Sequence, residues 1–320
     1  MTISISVVIP VYSGEKCLSS IVDEIAPFTD LCFTPNKIQY RINEVILVHD
    51  CSDDQSDLII ENLAKKYNFV KPIWLTRNFG QHAATLAGMS AAVGDWVITL
   101  DEDGQQNPKY IGEMLDFAID DNWQVVYANP KNPPPHGYVR NLFSNVAKYI
   151  ATLSLGTVSK RGVFNSYRLI DGEIARLLAA YCNHGIYLDV GITWIAKRIG
   201  HYPVILRKES RKTSYSFPML LNHFWVMILS SGTRPLRIIT IIGIGSLFMS
   251  FCFLGYAFYG KYVSETAVAG WTSIVVIISF FSGLMMVSMG IVAEYLALTT
   301  SIVMGKPLYV ASRKPTRAKK

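Results

Sequence analysis

Two acids one residue apart, Asp101 and Asp103, follow an apolar run in the segment GDWVITLDEDGQQNP. At the end of a strand, carboxylates with this spacing address the same crevice. A hard divalent cation takes oxygen ligands of this kind. Mg2+ in particular is commonly held by one or two carboxylates, with substrate phosphates completing its shell. A metal so placed neutralises a departing diphosphate. Asp101 and Asp103 are therefore candidates for both metal binding and catalysis. An acidic turn alone produces the same spacing, so the surrounding elements must carry the argument.

Those elements are regular. Short apolar runs at 5–11, 44–49, 72–76, 96–100 and 124–128 read as strands, with helical patterns near 15–27, 54–67, 81–93 and 109–120 between them. Such alternation predicts an α/β fold with a mostly parallel sheet and helices on both faces. Ligands of such sheets bind beyond the carboxyl ends of the strands. The polar clusters at 12–15, 50–54, 77–81 and 101–105 all fall there. The proline-rich NPKNPPPHG at 129–137 breaks the pattern. A helix at 138–155, a strand at 162–168, helices at 171–181 and 189–199 and a closing strand at 201–207 complete a catalytic domain expected over 1–213.

The chain has 320 residues, half of them hydrophobic, and a formal charge of +6. Lys306, Arg313, Lys314, Arg317, Lys319 and Lys320 account for all of that charge, leaving a neutral body. A nucleic-acid protein carries its basic stripe on the folded domain, so that class is disfavoured. A basic tail suits an anionic cytoplasmic membrane face. The five cysteines are scattered without a CxxC pair, which predicts reduced thiols and neither disulfides nor zinc. The opening ISVVIPVY reads as a strand, and no signal peptide is expected.

The apolar but interrupted stretch 214–236 is expected to lie in a membrane interface. Two uncharged runs follow, 238–259 and 271–293, each long enough to span a bilayer and joined by a short loop. They predict a two-helix hairpin over 237–304 and a basic tail over 305–320. Arg234, Arg237 and the tail place both flanks, and hence the catalytic domain, on the cytoplasmic side. Glu294, at the end of the second run, is expected to snorkel to the interface.

The segments ISVVIPVYSGE, VILVHDCSDDQS, LTRNFGQHAATLAG, GDWVITLDEDGQQNP and SYSF…RPLRI, followed by two spans, resemble the polyprenyl-phosphate glycosyltransferases of glycosyltransferase family 2. The resemblance covers nearly the whole chain. It implies a GT-A, Rossmann-like nucleotide-sugar domain that transfers one sugar, with inversion, from a nucleotide-sugar donor such as a UDP-sugar. The acceptor would be undecaprenyl or another polyprenyl phosphate. It further implies Mg2+ or Mn2+ on Asp101, Asp103 and Gln105, and a donor pocket of Pro10, Tyr12, Glu15, Asp50, Arg77, Gly80 and Asp101. Asp50 would accept from the nucleotide base. Members form tetramers, so a homo-oligomer is the corresponding expectation.

Two departures stand out. The family usually shows paired aspartates where this chain has His49-Asp50. Where members often read Asp-x-Gly before an aromatic, it reads Lys160-Arg161-Gly162-Val163-Phe164. A phosphate monoester with a second pKa of about 6 is already largely an anion at pH 7, so it can attack without a base. Cationic groups must then position it. Arg140, Lys160, Arg161, Arg207 and Arg211 are the candidates, arginine suiting phosphate through its planar fork. Asp189 is a fallback base or a helix N-cap. Arg77 is either a donor-site cation or half of a structural salt bridge. A processive polysaccharide synthase would carry a QxxRW motif and more spans. A catalytically silent scaffold would explain the His49 and Lys160 departures but not the retained Asp101, Asp103 and Gln105.

Overall fold

The computed structural model describes residues 2–132, 164–182, 186–207, 243–246, 248–249, 252 and 270–313. The chain divides into two compact units, Met1–Asn222 with Pro307–Lys320, and His223–Lys306.

Among the described residues the first unit is built on one nine-stranded sheet. Its strands are β1 (Ile3–Val11), β2 (Cys32–Phe33), β3 (Gln39–His49), β4 (Val70–Leu75), β5 (Trp96–Thr99), β6 (Val125–Pro130), β7 (Arg168–Asp171), β8 (Ile199–Val204) and β9 (Ala311–Ser312). Helices α1 (Leu18–Ile25), α2 (Ser56–Lys66), α3 (Gln81–Ala91), α4 (Tyr110–Asp120), α5 (Gly172–Tyr181) and α6 (Leu188–Ile195) join them. The order across the sheet is β8-β6-β7-β5-β1-β3-β4-β9, with β2 paired to β3.

β1 is buried from Ile5 onward because both faces are covered. Val7 and Ile9 enter the core formed with Leu18, Val22, Ile60 and Met114. Val8, pointing the other way, joins Ala84, Leu86, Ile170 and Leu178. Side chains alternate across a strand, so a continuous apolar run at this position requires helices on both sides.

The sheet corrects the mostly parallel expectation. β1 pairs parallel with β3 and β5, β3 with β4, and β6 with β8. β7 runs antiparallel to both β5 and β6, β2 to β3, and β9 to β4, so the sheet is mixed. The strand expected at 162–168 begins instead at Arg168, because Asn165 turns the chain: its Oδ1 accepts the Tyr167 N–H at 3.0 Å. The strand then runs to Asp171, whose carboxylate caps α5 by accepting the N–H groups of Glu173 (3.0 Å) and Ile174 (3.2 Å). The last expected helix stops at Ile195, and β8 starts at Ile199 rather than 201.

The C-terminal residues also depart from a simple tail. Ala311 and Ser312 pair with Leu75 and Trp74 on the edge strand β4. The Thr76 N–H donates to the Val310 carbonyl at 3.0 Å, and the Tyr309 hydroxyl to Ser90 Oγ at 2.9 Å. Leu308 and Tyr309 pack against the core beside α3. An edge strand offers unpaired backbone groups, and this segment covers them.

In the second unit, α7 (Trp271–Val303) has 33 residues. Its stretch Phe280–Val303, with mean hydropathy 1.6, is long and apolar enough to cross a membrane. At about 1.5 Å per residue the whole helix exceeds the hydrocarbon thickness. Glu294 is an exposed residue within it rather than at its end. In the first apolar run, 243–246, 248–249 and 252 are helical. The helix expected at 138–155 and the interfacial stretch 214–236 lie outside the described residues.

Candidate functional site

The carboxyl ends of β1, β3, β4 and β5 open on one edge of the sheet, and each is followed by a polar loop. Pro10 is buried within β1, opposite Val48 of β3. Tyr12, just past the strand, is 48% exposed. Glu15 faces the loop after β3: its N–H donates to Asp54 and its Oε2 accepts from the Gln55 N–H, both at 3.3 Å.

Asp50 directly follows β3 in a buried position, and its carboxylate holds the loop after β4. Oδ1 accepts the Phe79 N–H at 2.7 Å, and Oδ2 accepts the Gly80 N–H at 2.8 Å. Burial raises the Asp50 pKa against the pull of these two N–H groups. Gly80 has a φ of +90° with open space around it, so backbone conformation, not crowding, requires glycine there. The loop thus turns directly into α3. Arg77 is exposed, with its guanidinium 4.5 Å from the Phe79 ring centroid. His49, the last residue of β3, has its ring centroid 5.3 Å from that of Trp74 and Nε2 3.0 Å from Ser52 Oγ. Ser52 in turn donates to Asp54 at 2.7 Å.

Asp101 follows β5 at the centre of a dense network. Its Oδ1 accepts from Gln81 Nε2 at 2.6 Å. Its Oδ2 accepts from Gln106 Nε2 at 2.8 Å and from the Ser166 hydroxyl. The Asp101 N–H returns a bond to Gln106 Oε1 at 2.8 Å. Burial lifts the Asp101 carboxyl to about 6; the Ser166 hydroxyl opposes the rise, and the negative charge of Asp103 adds to it. Asp103 Oδ1 accepts the Gln105 N–H at 2.9 Å, and the Gln105 carbonyl accepts the Arg207 N–H at 2.9 Å.

The family model for "Glycosyl transferase family 2" matches residues 6–176, a stretch that runs from β1 through the two-acid turn into α5. The chain belongs to that family. As a family 2 glycosyltransferase, it is 27% identical over 337 residues to the undecaprenyl-phosphate 4-deoxy-4-formamido-L-arabinose transferase of Pectobacterium atrosepticum, covering 98% of this chain and 94% of that one. It is 26% identical over 315 residues to an uncharacterised glycosyltransferase of Synechocystis sp., covering 98% and 96%. The glucosyl-3-phosphoglycerate synthase of Mycobacterium tuberculosis, solved with Mn2+, UDP-glucose and phosphoglyceric acid, superposes with a TM-score of 0.51. It is 16% identical and covers 72% of this chain and 79% of that one. That likeness is one of fold, and the catalytic unit is a GT-A-like α/β domain.

In this glycosyltransferase the donor set of the two-acid turn fits a divalent cation. The carboxylates of Asp101 and Asp103 lie in one turn, oxygen donors of like charge separated by a single residue. Among the described residues no three His, Cys, Asp or Glu side chains form a closed metal cluster. Two carboxylates plus ligand phosphates is the usual set for Mg2+.

The acceptor candidates separate. Arg140, Lys160, Arg161 and Arg211 lie outside the described residues. Arg207 gives its guanidinium fork to the partly exposed carboxylate of Glu24, at 2.9 and 2.8 Å. Asp189 is not the cap of α6, which Tyr187 occupies; it sits within the first turn. Its buried carboxylate pairs with Arg168 and accepts from the Tyr127 hydroxyl at 2.8 Å. Burial raises the Asp189 pKa against the pull of both partners.

Sequence reasoning missed Gln81, Gln106, Ser166 and Arg168. Arg168 left a trace, being a charge within the otherwise apolar run YRLI. Gln106 was visible only as the second glutamine after Asp103. Ser166 carries no sequence signal, because β7 must insert beside β5 before it reaches Asp101.

Proposed function

We propose that this glycosyltransferase moves a single sugar from a nucleotide-sugar donor, of UDP type, to polyprenyl phosphate at a membrane. The observation that carries the reading is the position of the two-acid turn in a chain whose apolar helix α7 leads back into the catalytic sheet at β9. The chain leaves the sheet after β8 and rejoins it at β9. If α7 crosses a bilayer, the intervening segment must cross an even number of times. A partner span within 238–259 meets that condition and yields the hairpin. Arg234, Arg237 and the basic residues after α7 then favour the cytoplasmic side for the catalytic domain and both termini. The stretch 214–236 would lie at the interface. The similarity to undecaprenyl-phosphate transferases along nearly the whole chain supports the acceptor class.

In this reading Asp101, Asp103 and Gln105 hold Mg2+ or Mn2+, which when bound supplies Lewis-acid stabilisation of the departing diphosphate. Tyr12, Glu15, Arg77 and Gly80 line the donor pocket. Asp50 contributes by fixing the Phe79–Gly80 turn, which leaves recognition of the base to its neighbours. An acceptor phosphate oxygen attacks the anomeric carbon on the face opposite the diphosphate, giving inversion. Arg140, Lys160, Arg161 and Arg211 are the cations offered to that phosphate, and its own charge makes a base dispensable at pH 7.

The test is reconstitution. Purified protein in detergent receives undecaprenyl phosphate, Mg2+ or Mn2+ and a panel of labelled nucleotide sugars. A chloroform-soluble labelled product that disappears with Asp103→Ala is expected. A folded protein that gives no lipid product with any donor would sink the reading in favour of a silent scaffold. A reporter fused after Lys320 should report the cytoplasmic side.

A further inference from the structure

The residue between the two acids, Glu102, contributes a third carboxylate to the turn, and it faces a different loop. Its Oε2 accepts the Tyr12 N–H at 2.9 Å. The Ser13 N–H lies 2.8 Å from Oε1 and 3.0 Å from Oε2. One carboxylate thus gathers two consecutive backbone N–H groups from the loop that leaves β1. Hydrogen bonds to an ionised acceptor are roughly twice as strong as neutral ones. The contact spans about ninety residues of sequence and joins the two loops on which the proposed donor and metal residues lie.

The close approach also explains Gly14. A Cβ there would stand 2.9 Å from Val11 Cγ1 and 3.0 Å from Glu102 Oε2, so a side chain would press on both. The Gly14 carbonyl in turn accepts the N–H groups of Cys17 (3.1 Å) and Leu18 (3.0 Å), which starts α1. The path from Glu102 therefore runs through Tyr12 and Ser13 to Gly14 and into the helix that follows.

We infer that Glu102 is a positioning residue, not a metal ligand: it sets the distance between the Tyr12–Gly14 loop and the Asp101/Asp103 turn. This rests on the donor reading above for its kinetic consequence, though not for the clamp itself. Both Glu102 oxygens accept backbone N–H groups of the loop after β1, which turns its carboxylate toward that loop, whereas Asp101 is held by the side chains of Gln81, Gln106 and Ser166, and Asp103 Oδ1 by the Gln105 N–H of its own turn. Displacing one wall of a donor pocket by a fraction of an ångström weakens the bound geometry without removing a chemical group.

The experiment uses the full chain in detergent and compares Glu102→Ala, Glu102→Gln and Asp103→Ala. Hydrogen exchange at the Tyr12 and Ser13 amides, resolved by fragmentation mass spectrometry, is expected to quicken about tenfold in Glu102→Ala. Glu102→Gln, which keeps one acceptor oxygen, should fall between it and wild type. Donor KM should rise about tenfold in Glu102→Ala, with kcat and lipid-acceptor KM changing less than threefold. Mn2+ affinity, read by electron paramagnetic resonance without nucleotide, should stay within threefold of wild type in both Glu102 variants and collapse in Asp103→Ala. Unchanged exchange at Tyr12 and Ser13 overturns the clamp. An unchanged donor KM overturns its positioning of the donor pocket, and loss of Mn2+ in Glu102→Gln comparable to that in Asp103→Ala overturns its place outside the metal shell. If wild-type protein turns over no nucleotide sugar, the donor reading fails, while exchange and Mn2+ binding still decide the role of Glu102.

Discussion

The carboxylate of Asp50, at the end of β3, accepts the N–H of Gly80 at 2.8 Å, where α3 begins. With the Phe79 N–H on its other oxygen, Asp50 acts as a staple between two loops thirty residues apart. Removing it leaves two donors without a charged acceptor. Asp50→Ala is expected to cost about 2–3 kcal/mol of stability and Asp50→Asn about half that, since one acceptor oxygen survives. Thermal melting and donor KM should move together. A variant that melts like wild type would show that solvent satisfies the loop.

Metal binding should depend on pH through Asp101, whose carboxyl is lifted to about 6. Below that value the group is protonated, and a cation must displace the proton to bind. Apparent Mn2+ affinity is therefore expected to be flat above about pH 7 and to fall roughly tenfold per pH unit below about 6. Titration at pH 5, 6, 7 and 8 measures this. A flat profile down to pH 5 would place the Asp101 carboxyl outside the metal shell.

Arg168 and Asp189 form a buried pair, with side chains only 3% and 5% exposed. Arg168→Met leaves the acid without its counter-charge and is expected to cost about 3–5 kcal/mol. The double variant Arg168→Met/Asp189→Leu should recover part of that loss, because it removes both charges from the interior. Melting of the three proteins reads the coupling, and equal losses in single and double variants would contradict it.

The segment after α7 should stabilise the catalytic unit. Tyr309→Phe removes the bond to Ser90 and is expected to cost about 1 kcal/mol, or roughly 2–4 °C in Tm. Deleting 308–320 uncovers the β4 edge and should lower Tm further and promote aggregation. A deletion variant with wild-type melting would mean that β9 contributes nothing to the sheet.

Most elements were legible because their patterns are local. The period of apolar residues in 5–11 and 81–93 needs only neighbouring positions, and β1 and α3 formed there. Asp101 and Asp103 were legible for the same reason, as an acidic turn after an apolar strand. Parallel pairing was over-read because alternation of strands and helices says nothing about a later strand inserting between earlier ones. β7 does this between β5 and β6. A two-residue strand such as β9, inside a basic tail, has too little pattern to announce itself.

The amino-acid order by itself determined an α/β glycosyltransferase domain, its two-acid turn, and the apolar run that became α7. Charge and hydrophobic period are properties of neighbouring residues, so they survive without coordinates. Only the tertiary structure decided what each carboxylate faces. Asp50 and Glu102 hold backbone N–H groups of distant loops, Asp189 pairs with Arg168, and Asp101 meets Gln81, Gln106 and Ser166. A carboxylate accepts from whichever donor the fold brings within about 3 Å, and that partner is fixed by strand order and loop path rather than by spacing along the chain.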